Sequence, residues 1–203
     1  MSIKLLVATH NKGKIGELAD MMRDLAIEWL SLDDVGVTFE VDETGRTFYE
    51  NAALKATAYA AATGLLTLAD DSGLEVDALA GQPGVYTARY GGPGLTSVER
   101  YTLLLQNMAT VAWPQRTARF KCAIVLANRQ GLVDGAEGVC EGMIGWAPAG
   151  TGGFGYDPIF YLPDHQQTMA QLPAATKHQI SHRGRAIAAI APLLKQQLIA
   201  PAN

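Results

Sequence analysis

Two successive aspartates, Asp70-Asp71, close the short apolar run Leu65–Ala69 and are followed by Ser72-Gly73. Neighbouring like charges repel and are costly unless a cation or hydrogen bonds offset them. Together with Glu43, in a polar loop, the pair could hold Mg²⁺, an ion that takes hard oxygen ligands and often bridges to substrate phosphates. One carboxylate could also accept a proton from an attacking water. The same residues would equally make an Asx-type turn, with Asp71 capping the local backbone.

Three other segments carry groups of chemical interest. Thr9-His10-Asn11-Lys12-Gly13-Lys14 joins an apolar run to the start of a helix. Helix N-termini offer amides and a favourable dipole to anions, and Lys12 and Lys14 add charge while Gly13 permits close approach. The spacing is not that of a Walker loop, and a polar turn with solvated lysines would read the same. Gly150-Thr151-Gly152-Gly153-Phe154-Gly155 fits GxGxxG, but Tyr156-Asp157-Pro158 leads on to an extended segment, not the helix of a dinucleotide fingerprint. It reads better as a flexible wall presenting the Phe154 ring, which could stack on a base or lie in a core. Lys177 and Ser181-His182-Arg183-Gly184 gather donors near a helix start, where Arg suits a carbonyl or phosphate and Ser would serve as an N-cap. There is no GxSxG elbow, and neither Cys122 nor Cys140 sits in a nucleophile or zinc pattern. Water attack assisted by a metal is the hydrolytic chemistry that remains.

The elements that must position these groups follow from periodicity. Ile3–Thr9 reads as a buried strand, and Ile15, Leu18, Ala19 and Met22 recur at helical spacing after it. Asp33–Val41 reads as loop with a short strand. Thr47–Thr63 is an Ala-rich helix stopped by Gly64. The Asp pair then ends the strand Leu65–Ala69. Gly81–Gly94 is loop, and Ser97–Met108 is a helix with Ser97 as its cap. Phe120–Ala127 alternates as a strand, with Gly131–Trp146 its antiparallel partner. Pro158–Leu162 is a short strand, and a last helix starts near Ser181, to be kinked or restarted by Pro192. Such mixing predicts an α/β or α+β domain with a mixed sheet, formed as one domain from residues 1–203.

The bulk numbers exclude several classes. With 48% hydrophobic and 18% charged residues over 203 positions, the chain is that of a globular protein. A net charge of −4, with scattered Lys and Arg, argues against a nucleic-acid surface but leaves a small anionic ligand open. No apolar stretch approaches the ~20 residues needed to span a bilayer, and the start of the chain lacks a secretory pattern, so the expectation is a cytosolic protein with two free thiols.

In order along nearly the whole chain, the segments resemble the inosine triphosphate pyrophosphatase family, also described as dITP/XTP pyrophosphatases. The resemblance runs through Thr9–Lys14, Glu43-Thr44-Gly45, Thr47-Phe48 with Glu50-Asn51-Ala52 and Lys55, and Asp70–Gly73. It continues through Pro83-Gly84, Ala88-Arg89-Tyr90, Gly150–Asp157 and Lys177 with Ser181–Arg183. It implies an elongated fold, a curved mixed central sheet with two lobes flanking a substrate cleft, and a homodimer. It implies Mg²⁺-dependent hydrolysis of ITP, dITP or XTP to monophosphate and pyrophosphate, cleansing the nucleotide pool. Thr9, His10, Asn11, Lys12, Gly13 and Lys14 would hold the triphosphate, and Lys55 would approach the phosphates. Glu43 and Asp71, with Asp70 a further candidate, would act with Mg²⁺, Asp71 accepting the proton. Ser72, Phe154, Gly155, Tyr156, Asp157, Lys177, His182 and Arg183 would line the substrate site. His10 stands where many members carry Gly, and Asp42 where Glu is common. A pyrophosphatase for other modified or pyrimidine nucleotides and a non-catalytic nucleotide-binding module are the alternative readings.

Overall fold

The computed structural model describes residues 3–199. The fold is mixed α/β, built on one seven-stranded mixed sheet. Its strands are β1 (Ile3–Val7), β2 (Ile27–Ser31), β3 (Leu66–Val76), β4 (Thr117–Asn128), β5 (Gly131–Ile144), β6 (Phe160–Leu162) and β7 (Gln167–Thr168). They lie in the order β2-β1-β3-β4-β5-β6-β7. β1 runs parallel to both β2 and β3, whereas β6 is antiparallel to β5 and to β7. The helices are α1 (Lys12–Met21), α2 (Phe48–Thr63), α3 (Ser97–Asn107), α4 (Ala174–Ile180) and α5 (His182–Ile199). Among the described residues, no helix is long and apolar enough to cross a membrane.

The chain divides into two compact units. The first holds the described residues of Met1–Asp71, Cys122–Gly138 and Arg183–Asn203; the second holds Ser72–Lys121 and Val139–His182. Each has its own core. In the first, Leu18 of α1 and Met22, which caps that helix, join Ala186, Ile187, Ile190 and Leu194 of α5, the last four a stripe at helical spacing. They pack on Leu5, Val7, Leu68, Cys122, Ile124 and Leu126 from the sheet. The second core gathers Leu74, Leu104, Met108, Phe120, Ile144, Phe160 and Met169, among others. The alternating side chains of β4 are thus shared out, Phe120 to one core and Cys122 onward to the other.

Several sequence expectations hold. Gly64 ends α2 in the left-handed conformation, φ 72°, which glycine adopts without steric cost. Cys122 and Cys140 are buried free thiols. Others need correction. The strand expected within Asp33–Val41 lies earlier, at Ile27–Ser31, where it can pair with β1. β3 does not stop at Ala69 but runs through Asp70, Asp71, Ser72 and Gly73, which rules out the Asx turn. α3 is capped by Thr96, not Ser97, in a capping box with Glu99 that satisfies two terminal amides at once. α4 had no periodic signal long enough to show. α5 runs through Pro192 as one helix, and Ser181 is the C-cap of α4.

Arg116 is the least expected member of the second unit. It is 1% exposed. Its Nε donates to the Ile144 carbonyl at 2.7 Å, Nη1 to Met108 at 2.7 Å and Val111 at 3.3 Å, and Nη2 to Gly145 at 2.9 Å. Trp146 covers the guanidinium at 4.3 Å. Burial lowers its pKa, but carbonyl acceptors take the place of water. Arg116→Met would keep much of the volume and strand these carbonyls, so urea denaturation should show a loss of about 3 kcal/mol or more.

Candidate active site

The parallel pairing of β1 with β3 builds the first cluster. Val7 is level with Leu68, and the Ala8 amide donates to the Leu68 carbonyl at 2.8 Å. The turn after β1 is thereby brought beside Asp70 and Asp71, at the carboxyl end of β1, where parallel sheets commonly place ligand groups. Within that turn Thr9 Oγ1 accepts from the Asn11 amide at 3.2 Å. Asn11 caps α1, its Oδ1 accepting from Gly13 at 3.0 Å and Lys14 at 3.3 Å. Three amides expected to face an anion are therefore used inside the turn, and the cation of Lys14 is what the turn delivers. His10 is exposed; the side chain of Lys12 lies outside the described residues.

Asp70 is fully buried and sits among cations. Lys14 Nζ pairs with its Oδ1. Oδ2 accepts from Arg183 Nε at 3.2 Å and from the Cys122 thiol at 2.9 Å. Arg183 Nη1 in turn reaches Glu17. Burial alone would raise the pKa of Asp70, but Arg183 and Lys14 overcome it and hold the carboxyl far below the usual range. Burial, reinforced by the charge of Asp70, pushes the Cys122 thiol well above its ordinary value, so it stays a protonated donor.

Asp71 has the opposite surroundings. Lys55, from α2, donates to Glu43 Oε1 at 2.7 Å, to the Asp70 carbonyl at 3.0 Å and to Asp71 Oδ1 at 3.4 Å. Asp71 Oδ2 is buried and has no hydrogen-bond partner among the described residues. Burial raises the pKa of Asp71 against the pull of Lys55 and Lys14, with Glu43 and Asp70 adding to the rise. Burial disfavours the charge on Lys55, but Asp71 and Glu43 outweigh it and its pKa ends above the ordinary value. No cluster of three or more metal-ligating side chains occurs among the described residues. The donor set still fits magnesium, which is usually held by one or two carboxylates, with substrate phosphates and water completing its shell. Glu43 and Asp71, both of which meet Lys55, supply such a pair of carboxylates.

The second unit holds Ser72, Phe154, Gly155, Tyr156, Asp157, Lys177 and His182. Lys177 Nζ is 2.7 Å from Asp157 Oδ2, which also accepts the Phe154 amide at 2.9 Å. The same ammonium lies 5.1 Å from the centre of the half-buried Phe154 ring, within cation–π range. The glycine-rich segment is pinned, not a flexible wall. The Gly152 amide donates to the Ala170 carbonyl at 3.0 Å, and a Cβ on Gly153 would come within 2.0 Å of Asp157 Oδ2. Tyr156 is buried, and its hydroxyl donates to the Thr87 carbonyl at 3.1 Å. The His182 ring stacks on Phe120 at 4.8 Å and 18°. Arg183 falls in the first unit, one residue on. Sequence reasoning missed Glu17, Cys122, Asn51 and Phe120 as neighbours of these groups. Glu17, three residues after Lys14, and Asn51, four before Lys55, carried the one available signal, a shared helix face.

Two outcomes test this electrostatic arrangement. Asp70→Asn would leave Arg183 and Lys14 without a buried counter-charge, and chemical denaturation should show a loss of about 3–5 kcal/mol. Asp71→Asn should do the reverse. A carboxyl whose pKa is raised on folding costs stability once pH exceeds its folded value and costs nothing below its unfolded value. Melting of Asp71→Asn should therefore lie above that of the parent chain at neutral pH, with the gap closing as pH falls through the aspartate range.

Comparison with known proteins gives the family of the chain. The model of the Ham1 family matches residues 5–193. A dITP/XTP pyrophosphatase of Desulforamulus reducens is 48% identical over 91% of this chain and 92% of its own length. One from an Exiguobacterium species is 49% identical over 95% of this chain and all of its own. Among solved structures, a HAM1 protein from Coxiella burnetii superposes with a TM-score of 0.87 at 40% identity, covering 96% of this chain and 99% of that one. A nucleoside-triphosphatase / dITP/XTP pyrophosphatase from Mycobacterium abscessus gives 0.77 at 42% identity, covering 94% and 100%. With the match running through both units, the chain belongs to the Ham1 family.

Proposed function

We propose that this chain hydrolyses non-standard purine nucleoside triphosphates, dITP, XTP and ITP, to the monophosphate and pyrophosphate. The observation that carries this reading is the buried, unpartnered Oδ2 of Asp71 beside the Lys55–Glu43 pair. An acceptor in that state, on a carboxyl whose pKa is raised by burial, is suited to take a proton from water. Relatives at 48–49% identity bearing the dITP/XTP pyrophosphatase name support the substrate class.

In the reaction, water adds at phosphorus, the anhydride between the α- and β-phosphates breaks, and Asp71 receives the proton. Glu43 and Asp71 would hold Mg²⁺, which when bound offsets charge on the phosphates and the leaving pyrophosphate. Lys14 and Lys55 add fixed positive charge, already ordered by Asp70, Glu43 and Asp71, so no reorganisation is needed as charge develops. Asp70 acts as counter-ion to Lys14 and Arg183 and not as a metal ligand, because both of its oxygens are engaged. Phe154, held by Asp157 and Lys177, offers a face for the purine, and His182 is the donor for the carbonyl at its position 6. Adenine would present an amine there, and a buried donor left unpaired rejects strongly. Ser72, Gly155 and Tyr156 complete the purine side, and the Thr9–Lys14 turn the phosphate side. The same reading includes the homodimer and a cytosolic location.

Product analysis tests it. With Mg²⁺, pyrophosphate should be released from dITP and XTP and hardly at all from dATP, and EDTA should stop it. Asp71→Asn should lower kcat by about 10²–10⁴-fold. Orthophosphate release, or an active Asp71→Asn enzyme, would overturn the assignment.

A further inference from the structure

Glu43 stands in a segment without regular secondary structure, residues 41–45, yet its carboxylate is held 2.7 Å from Lys55. A solvent-facing loop does not place a carboxylate to within an ångström without an anchor. One anchor is visible. Asn51, fully buried in the first turn of α2, accepts the Gly45 amide on its Oδ1 at 2.8 Å. Because Gly45 can only donate there, the bond also fixes which side-chain atom is the oxygen. The amide nitrogen of Asn51 is buried without a hydrogen-bond partner among the described residues. A buried carboxamide with only half its capacity used is unfavourable in a helix, where Ala would be better. The helix alone gives no physical reason for an Asn at this position.

The contact is tight on both sides. A Cβ added to Gly45 would lie 2.7 Å from Asn51 Oδ1, 2.7 Å from Glu50 Cβ and 2.9 Å from the Asn51 amide nitrogen. Gly45 does not have a left-handed backbone, so close approach is what excludes a side chain. The neighbouring bonds point the same way. Glu50 Oε2 accepts the Arg46 amide at 2.6 Å, and Thr47 Oγ1 accepts the Glu50 amide at 3.1 Å. Asn51 and Lys55 are four residues apart on α2, which puts them on one face. One turn of helix therefore carries both the latch for the loop and the ammonium that the loop's carboxylate meets.

We infer that Asn51 is a positioning residue for Glu43: its carboxamide oxygen latches the Gly45 amide, and the close Gly45–Asn51 contact sets Glu43 against Lys55 beside Asp71. The inference rests on the proposed hydrolysis for its kinetic readout. Asn51 itself touches no reacting atom.

The test is a pair of mutant cycles on the full chain, with amide hydrogen exchange as the second readout. Asn51→Ala and Gly45→Ala should each lower kcat for dITP by roughly 10- to 100-fold, the cost of misplacing a group by about 1 Å, with KM little changed. Either change added to Glu43→Gln should cost no more than Glu43→Gln alone, because the latch acts only through Glu43. The Gly45 amide should be protected in the parent chain, in Glu43→Gln and in Asn51→Asp, which keeps an acceptor oxygen, and should exchange freely in Asn51→Ala. If Asn51→Ala does not fold, Gly45→Ala carries the cycle, since it changes the loop side of the contact and no residue of α2. Losses that multiply with that of Glu43→Gln, or a Gly45 amide unprotected in the parent chain, would overturn the inference. If the parent chain releases no pyrophosphate from dITP, it is the proposed hydrolysis that fails, and the exchange experiment still decides the latch.

Discussion

A carboxylate sealed from water must find its counter-charges inside the protein. Asp70 finds them in Lys14 of α1 and Arg183 of α5, with the Cys122 thiol of β4 as a third donor. Those three side chains come from three elements, so a single buried charge ties the start of one helix, the start of another and the middle of the sheet to one point of β3. The turn after β1 is fixed by the same pairing, because Lys14 cannot leave Asp70 without uncovering it.

Asp71 is the next residue on a strand, and successive side chains of a strand point to opposite faces. That alternation separates two roles that adjacent carboxylates could not otherwise hold. One face supplies the cations that hold the Asp70 carboxyl below its usual range. The other supplies Lys55, shared with Glu43, and leaves one oxygen of Asp71 uncommitted. Neighbouring acids driven apart in this way are a recurring basis of acid–base assignment.

Legibility in the sequence followed the range of the interaction. Helix α2 was readable end to end because its cap, Thr47, and its stop, Gly64, are local signals. Glu43 could be suspected from its chemistry, whereas Lys55 entered only through the family resemblance. Reading Asp70-Asp71 as a strand end failed because polar residues in succession look like a turn, and only partners from remote elements make them affordable inside a strand. The ion pairs of Arg183 were hidden for the same reason: its carboxylates, Glu17 and Asp70, are far off in sequence. Arg116 has no charged signature at all, since its acceptors are carbonyls that every residue carries. Phe154 was readable as an aromatic in a glycine-rich segment, but the rigidity of that segment depends on Ala170 and Asp157.

The core of the first unit has a consequence for the order in which the chain can fold. Its sheet residues come from three separated stretches, and Ile187, Ile190 and Leu194 come from α5, which follows every other described element. Contacts so distant in sequence form slowly and late. While the chain is being synthesised, β1, β3 and β4 must wait for α5 with their apolar surface uncovered, and Asp70 must wait for Arg183. A nascent chain that has not yet released α5 therefore carries that apolar surface exposed, the condition in which partly folded chains associate wrongly.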